Sequence, residues 1–168
     1  MKKKVASGGR QAPQTVCAIG RAESVVGDIW TVLVLRELVA GNHRFDEIQV
    51  LSGGTPQMVA RRLKDLIADG LVERKLYSKR PPRYEYHLTE KGADFFPVLL
   101  ALRAWSEKWL RLPGEDMSVD YLHNKCGHSA GLGPLCGQCG ELLRREDLTP
   151  RVSKASQAER DALRASAR

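Results

Sequence analysis

The chain has 168 residues, 42% of them hydrophobic, and a formal charge of +7, enough for one ordinary domain plus tails and too apolar for disorder throughout. Nowhere does it approach the ~20 uncharged apolar residues of a spanning helix, and the start MKKKVASGGRQAPQ has charges with no apolar run behind them, which excludes a secretory signal. The protein is therefore expected in the cytoplasm, with no membrane partner, where its four cysteines point to metal or redox chemistry before structural disulfides.

The charge is unevenly spread. Residues 1–16 carry four Lys/Arg and no acid, residues 17–112 carry fifteen against twelve, and residues 113–168 carry eight of each. A basic amino-terminal part favours polyanions without separating DNA from RNA or anionic lipid. Residues 1–16 read as a flexible basic arm. AIGRAESVV at 18–26 predicts a short helix ending at Gly27. Asp28 then suits the N-cap of a second helix, IWTVLVLRELVAG, closed by Gly41. That segment is apolar nearly all round, as in a core or subunit-interface helix.

From Arg44 to Gly92 the order is two short helices joined by a glycine turn, followed by a two-stranded ribbon with a basic tip. Phe45, Ile48 and Leu51 mark the buried side of the first helix, and SGG at 52–54 supplies the turn. Thr55 suits an N-cap and Pro56 the first helical position. On the following helix Val59, Leu63, Leu66 and Ile67 form one stripe. Gln57, Arg61 and Lys64 project opposite, with Arg62 on the flank. LVERKLYS (71–78) and RYEYHLT (83–89) read as strands, with Lys79, Arg80 and Arg83 around a Pro-Pro tip. This is a winged helix-turn-helix, whose second helix fits the DNA major groove and whose hairpin can clamp the backbone. The expected double-stranded-DNA contacts are Thr55, Gln57, Arg61, Arg62, Lys64, Lys79, Arg80 and Arg83. A long helix is predicted from about 90 to 111, with Phe95, Leu99, Leu102, Trp105 and Trp109 at helical spacing. Its surplus apolar face predicts a homodimer.

The tail contains HNKCGHSAGLGPLCGQCGE, residues 123–141. Cys126, Cys136, Cys139 and one histidine make a tetrahedral zinc set, predicting a small zinc-ribbon-like knuckle within residues 113–150. His123 gives HxxC…CxxC and His128 gives CxH…CxxC, and both remain open as fourth ligand; free or redox-active thiols are the competing reading. Three cysteines and a histidine would leave no open coordination position, and Glu141 alone makes no active site, so an enzyme is not expected. Residues 151–168 are charged with few apolar anchors and are expected to be frayed or disordered.

The elements Cys17, GDIWTVLVLREL, RFDEIQ, ARRLKDLIADGLVER and PPRYEYHLTEKG together resemble the HxlR family of bacterial winged-helix transcription regulators, over roughly residues 17–112. The resemblance implies a mainly α fold with a small β-hairpin wing, a homodimer paired through its first and last helices, and sequence-specific repression or activation of a neighbouring operon, repression being the expectation. It also implies oxidant or electrophile sensing at Cys17, whose thiolate a helix amino terminus or Arg21 would stabilise. Ala60 departs from the Ser or Thr common there in the family. The alternative function is a non-specific RNA-binding or nucleoid winged-helix module. The DNA-binding domain itself needs no cofactor; the tail would hold one structural zinc.

Overall fold

A computed structural model describes residues 15–167. Packing divides the chain between Ala93 and Asp94 into two compact units, whereas the sequence places the end of the winged domain near residue 112. Apart from Thr15 and Val16, the expected basic arm lies outside the described residues.

The first unit runs α1 (Ala18–Val26), α2 (Ile29–Val39), α3 (Phe45–Ser52), α4 (Pro56–Ala68), β1 (Val72–Lys79), β2 (Pro82–Leu88) and the single turn α5 (Glu90–Ala93). The Asp28 carboxylate opens α2 by accepting the Thr31 N–H at 3.2 Å, which satisfies one orphan donor of the first turn. Val34, Leu35 and Leu38 of this helix are buried, and α2 packs on α3 and α4. Ile48, Leu51, Val59, Leu63, Leu66, Leu71 and Val72 complete the core. Glu37 is fully buried among them. Its carboxylate accepts from Arg36 Nε at 2.8 Å and Asn42 Nδ2 at 2.7 Å, the pairing a buried charge requires.

Between α3 and α4 the chain reverses at Gly53, whose φ of +74° is a left-handed conformation that glycine adopts without strain. Thr55 Oγ1 then accepts from the Met58 N–H at 3.4 Å, and Pro56 stands in the first turn, as its missing N–H allows. The antiparallel wing pairs Val72 with Leu88 and ends on Lys79 opposite Pro82, with an irregularity at Tyr77. Its tip is Arg80–Pro81, joined by a cis peptide bond. At the wing's base, Tyr86 N donates to the His43 carbonyl at 2.9 Å, and His43 Nδ1 lies 3.0 Å from the Tyr86 carbonyl. The wing is thus fastened to the loop before α3.

The second unit comprises α6 (Phe96–Trp109), a 3₁₀ turn at Arg145–Asp147, α7 (Lys154–Ser166) and a three-stranded antiparallel sheet. Its strands are β3 (Val119–His123), β4 (His128–Ser129) and β5 (Leu148–Val152), in the order β4–β3–β5. The continuous helix expected over 90–111 is broken at Asp94–Phe95. Pro97 lies in the first turn of α6, where its absent N–H and rigid φ are tolerated; further inside they would disrupt the helix. Arg103 of α6 donates to the carbonyls of Val119 and Gly131 and lies over the Tyr121 ring, 5.3 Å from its centroid. Phe96 meets the same ring edge-on. Residues 151–168, expected to fray, contain the end of β5 and the whole of α7, which starts where Ser153 Oγ accepts from Ser156 N at 3.2 Å. No helix of the described residues is long and apolar enough to cross a membrane.

Candidate functional site

Two separate constellations carry chemistry. The first is α4 with the wing. Packing of Val59, Leu63 and Leu66 into the core fixes the rotation of α4 and so decides which side chains face solvent. Thr55, Gln57, Arg61 and Lys64 are exposed there, as are Lys79, Arg80 and Arg83 at the wing tip. Apart from Thr55, whose hydroxyl caps α4, none of these side chains bonds to another described residue, leaving their donors free for phosphates and base edges. Elsewhere on the wing the cations are already engaged. Lys75 pairs with Glu73 at 2.8 Å and holds that carboxyl below its usual range, while Arg74 stacks on Tyr84 at 4.0 Å.

Arg62 corrects the sequence reading. Its side chain is only 16% exposed, with Nη2 donating to Asp28 at 2.9 Å and Nη1 to Asp65 at 3.4 Å. A guanidinium committed to two carboxylates locks α4 against the start of α2 and has no free fork for a phosphate. Only Asp65, three residues on, is a local partner; Asp28, which takes the other end of the guanidinium, is distant in sequence. Cys17 is exposed at the N-cap position of α1.

The second constellation lies in the tail. His123 closes β3, Cys126 follows in the turn to β4, and Cys136 and Cys139 form a knuckle that turns at Gly140, φ +73°. Backbone bonds close that knuckle, with Gly140 N donating to Cys136 O at 2.9 Å and Cys136 N to Glu141 O at 2.8 Å. One donor atom from each of His123, Cys126, Cys136 and Cys139 falls within 4.8 Å of the others. The histidine at this centre is His123, entirely buried. His128 is exposed and turned away, its Nδ1 lying 2.7 Å from the Cys126 carbonyl.

The spacing tests what the cluster can hold. A tetrahedral zinc with Zn–S near 2.3 Å and Zn–N near 2.0–2.1 Å puts two sulfurs about 3.8 Å apart and sulfur and nitrogen about 3.5 Å apart. Cys126 Sγ and Cys136 Sγ are 3.8 Å apart, and His123 Nδ1 is 3.4 Å from the sulfurs of both Cys126 and Cys139. The donors therefore fit a soft tetrahedral cation rather than the oxygen shells of magnesium or calcium. Backbone N–H groups of Cys139 and Gln138 aimed at Cys136 hold its thiol down, to about 6. Cys139 is pushed up: the Glu141 N–H opposes this, but desolvation and the neighbouring sulfurs of Cys136 and Cys126 prevail. Beside the cluster, Lys125 bridges Glu141 at 3.4 Å and Asp147 at 3.2 Å, and the pairing raises its pKa, Asp147 contributing most. Sequence reasoning missed this bridge, since Asp147 reaches Lys125 only once β5 lies beside β3.

Comparison with known proteins comes down on the same elements. A family model described as HxlR-like helix-turn-helix matches residues 25–113. An uncharacterized HTH-type transcriptional regulator of Mycobacterium tuberculosis is 36% identical over 133 residues, covering 79% of this chain and 84% of the relative. The Bacillus subtilis HTH-type transcriptional regulator YdeP is 34% identical over 94 residues, 55% of this chain and 73% of that one. Among solved structures, PA1607, described as a candidate transcription factor, superposes with a TM-score of 0.64 at 32% identity, covering 84% of this chain and 96% of that one. The redox regulator HypR in its oxidized form gives 0.53 at 31% identity, covering 57% of this chain and all of that one (100%).

Proposed function

The chain belongs to the HxlR-like helix-turn-helix family of DNA-binding transcriptional regulators, and we propose that it reads a specific operator as a homodimer, acting as a repressor in the cytoplasm. The observation that carries this reading is the unengaged polar face of α4 beside an unengaged basic wing tip. Gln57 and Arg61 make bidentate bonds to base edges in the major groove. Thr55, Lys64, Lys79, Arg80 and Arg83 contact phosphates and set the register. Arg62 holds α4 in place from behind.

Dimerisation is supported by apolar surface that a lone protomer leaves in water. Val16, Ile19 and Ile29 of the first unit are 97, 77 and 68% exposed, and Trp105 and Trp109 on α6 of the second are 57 and 63% exposed, large apolar side chains of the kind a subunit interface covers. A symmetric pair would read half-sites about one helical turn apart. Cys17, exposed on α1, is the thiol through which oxidants or electrophiles alter half-site spacing. The likeness to a protein named a redox regulator supports this response. In the tail, His123, Cys126, Cys136 and Cys139 hold one zinc, which when bound supplies cross-linking of the knuckle to β3 and no catalysis.

The test is a binding series on the protein's own promoter region and on random duplex, at several salt concentrations. Arg61→Ala should cost about 1–3 kcal/mol on the operator and relax sequence preference, while Arg80→Ala should weaken all DNA alike and lower the salt slope by about one. An operator-to-random ratio near one for the wild-type protein would instead favour the non-specific nucleic-acid module.

A further inference from the structure

The candidate metal cluster contains a buried polar atom without a hydrogen-bond partner. His123 Nδ1 faces the sulfurs of Cys126 and Cys139 at 3.4 Å, so Nδ1 is the ligating nitrogen. A neutral imidazole that ligates through Nδ1 carries its proton on Nε2. That nitrogen is buried in a fully buried residue and has no hydrogen-bond partner. An orphaned buried N–H is costly and leaves the ring free to tilt. The carboxylate of Glu141 stands 4.0 Å from it.

We propose that Glu141 is the positioning residue of this metal site, its carboxylate receiving the Nε2–H of His123 when the metal is held. The inference rests on the zinc reading and adds to it the group that orients the histidine. Geometry supports the assignment from both sides of the carboxylate. The Glu141 main chain is already fixed, because its carbonyl accepts from Cys136 N at 2.8 Å. A turn of an exposed side chain by about an ångström brings the pair within the 2.7–3.2 Å of a hydrogen bond. On the far side, Lys125 holds the same Glu141 oxygen at 3.4 Å and is itself held by Asp147 at 3.2 Å. Electrostatics requires such a cation. Three thiolates around a dication leave a net negative charge, against which an unaccompanied carboxylate would be repelled. Lys125 offsets that repulsion and aims the oxygen at the ring. A carboxylate or carbonyl behind a ligating histidine fixes its tautomer and raises its basicity, and losing one typically costs 10–100-fold in affinity. Here the positioning group sits on the knuckle it serves, directly beyond Cys139 and Gly140.

The experiment uses the full chain, reduced, with zinc affinity measured by chelator competition. Glu141→Ala should weaken zinc binding by about 10–100-fold. Glu141→Gln, whose amide oxygen can still accept, should recover most of that loss, and Asp116→Ala, removing an exposed acid of the same unit, should lose nothing. Side-chain ¹⁵N NMR of the zinc-loaded protein should show His123 ligated at Nδ1 and protonated at Nε2, with faster exchange of that proton in Glu141→Ala. Unchanged zinc affinity in Glu141→Ala, or a ring ligated through Nε2, overturns the proposal while leaving the zinc site standing. Wild-type protein that binds no zinc overturns the metal reading and this inference with it.

Discussion

With zinc in the tail as proposed, the two units of the chain hold themselves together by different means. In the first, Val34, Leu35, Ile48, Val59, Leu63 and Leu66 bury almost completely, and helices and wing are arranged around that apolar centre. In the second, the buried set is Phe96, Leu100, Ala130, Leu143 and Leu148 together with His123 and Cys136, two members of the proposed metal cluster. On the zinc reading, an apolar set of this size does not by itself offset the entropy of ordering a knuckle and short strands. On that reading one unit folds by excluding water and the other by gathering donors around a metal, so they should fail under different insults.

The largest effect expected is on the tail. Cys136→Ser removes a buried thiolate from the cluster, and structural zinc contributes on the order of 10 kcal/mol to small sites of this kind. Zinc content should fall well below one per chain and the tail should unfold, whereas His128→Ala should leave zinc content unchanged. Elemental analysis of both variants checks this. A core truncation is the counterpart in the first unit. Leu63→Ala should cost about 2–5 kcal/mol by denaturant unfolding, through lost burial plus the cavity left behind, and should leave zinc content unchanged.

Arg62→Ala sharpens the comparison within α4 itself. Breaking the bonds to Asp28 and Asp65 should lower stability by about 1–3 kcal/mol with sequence preference intact, where Arg61→Ala relaxes preference with little change in stability. Thermal unfolding and operator-to-random affinity ratios on the same two proteins separate the roles. The smallest effect expected is at the wing tip. There Arg80→Ala should change DNA affinity only through one phosphate contact, read as a salt slope shallower by about one.

The two units also differed in how far the sequence revealed them. In the first unit, burial runs with the residue period, so Val59, Leu63 and Leu66 of the α4 stripe and the cap at Thr55 could be read directly, although Ile67, expected on the same stripe, is exposed; the strands of the wing begin and end within a residue or so of expectation. What stayed hidden there was tertiary. Arg62 looks like any flank arginine until Asp28 is brought beside it. In the second unit the donors were legible as residue types, while their arrangement was not. Both His123 and His128 satisfy a ligand spacing, and the choice is made by β3 closing on the turn at Cys126, which leaves His123 buried and His128 in solvent. The end of the chain looked too polar to order. Yet Arg151 and Val152 pair with Asp120 and Val119 on β3, partners distant in sequence, and Ser153 caps α7, a local signal outweighed by composition. Pro97 was the overlooked marker of the break before α6.

Native-state hydrogen exchange, followed amide by amide in reduced full-length protein before and after zinc chelation, tests most directly whether one chain holds two units of different origin. Amides of Ala130, Cys136 and Leu143 in the tail should lose protection when the metal is removed, while core amides of Leu63 and Leu66 on α4 keep theirs. Loss of protection in both sets together, or in neither, would contradict the account.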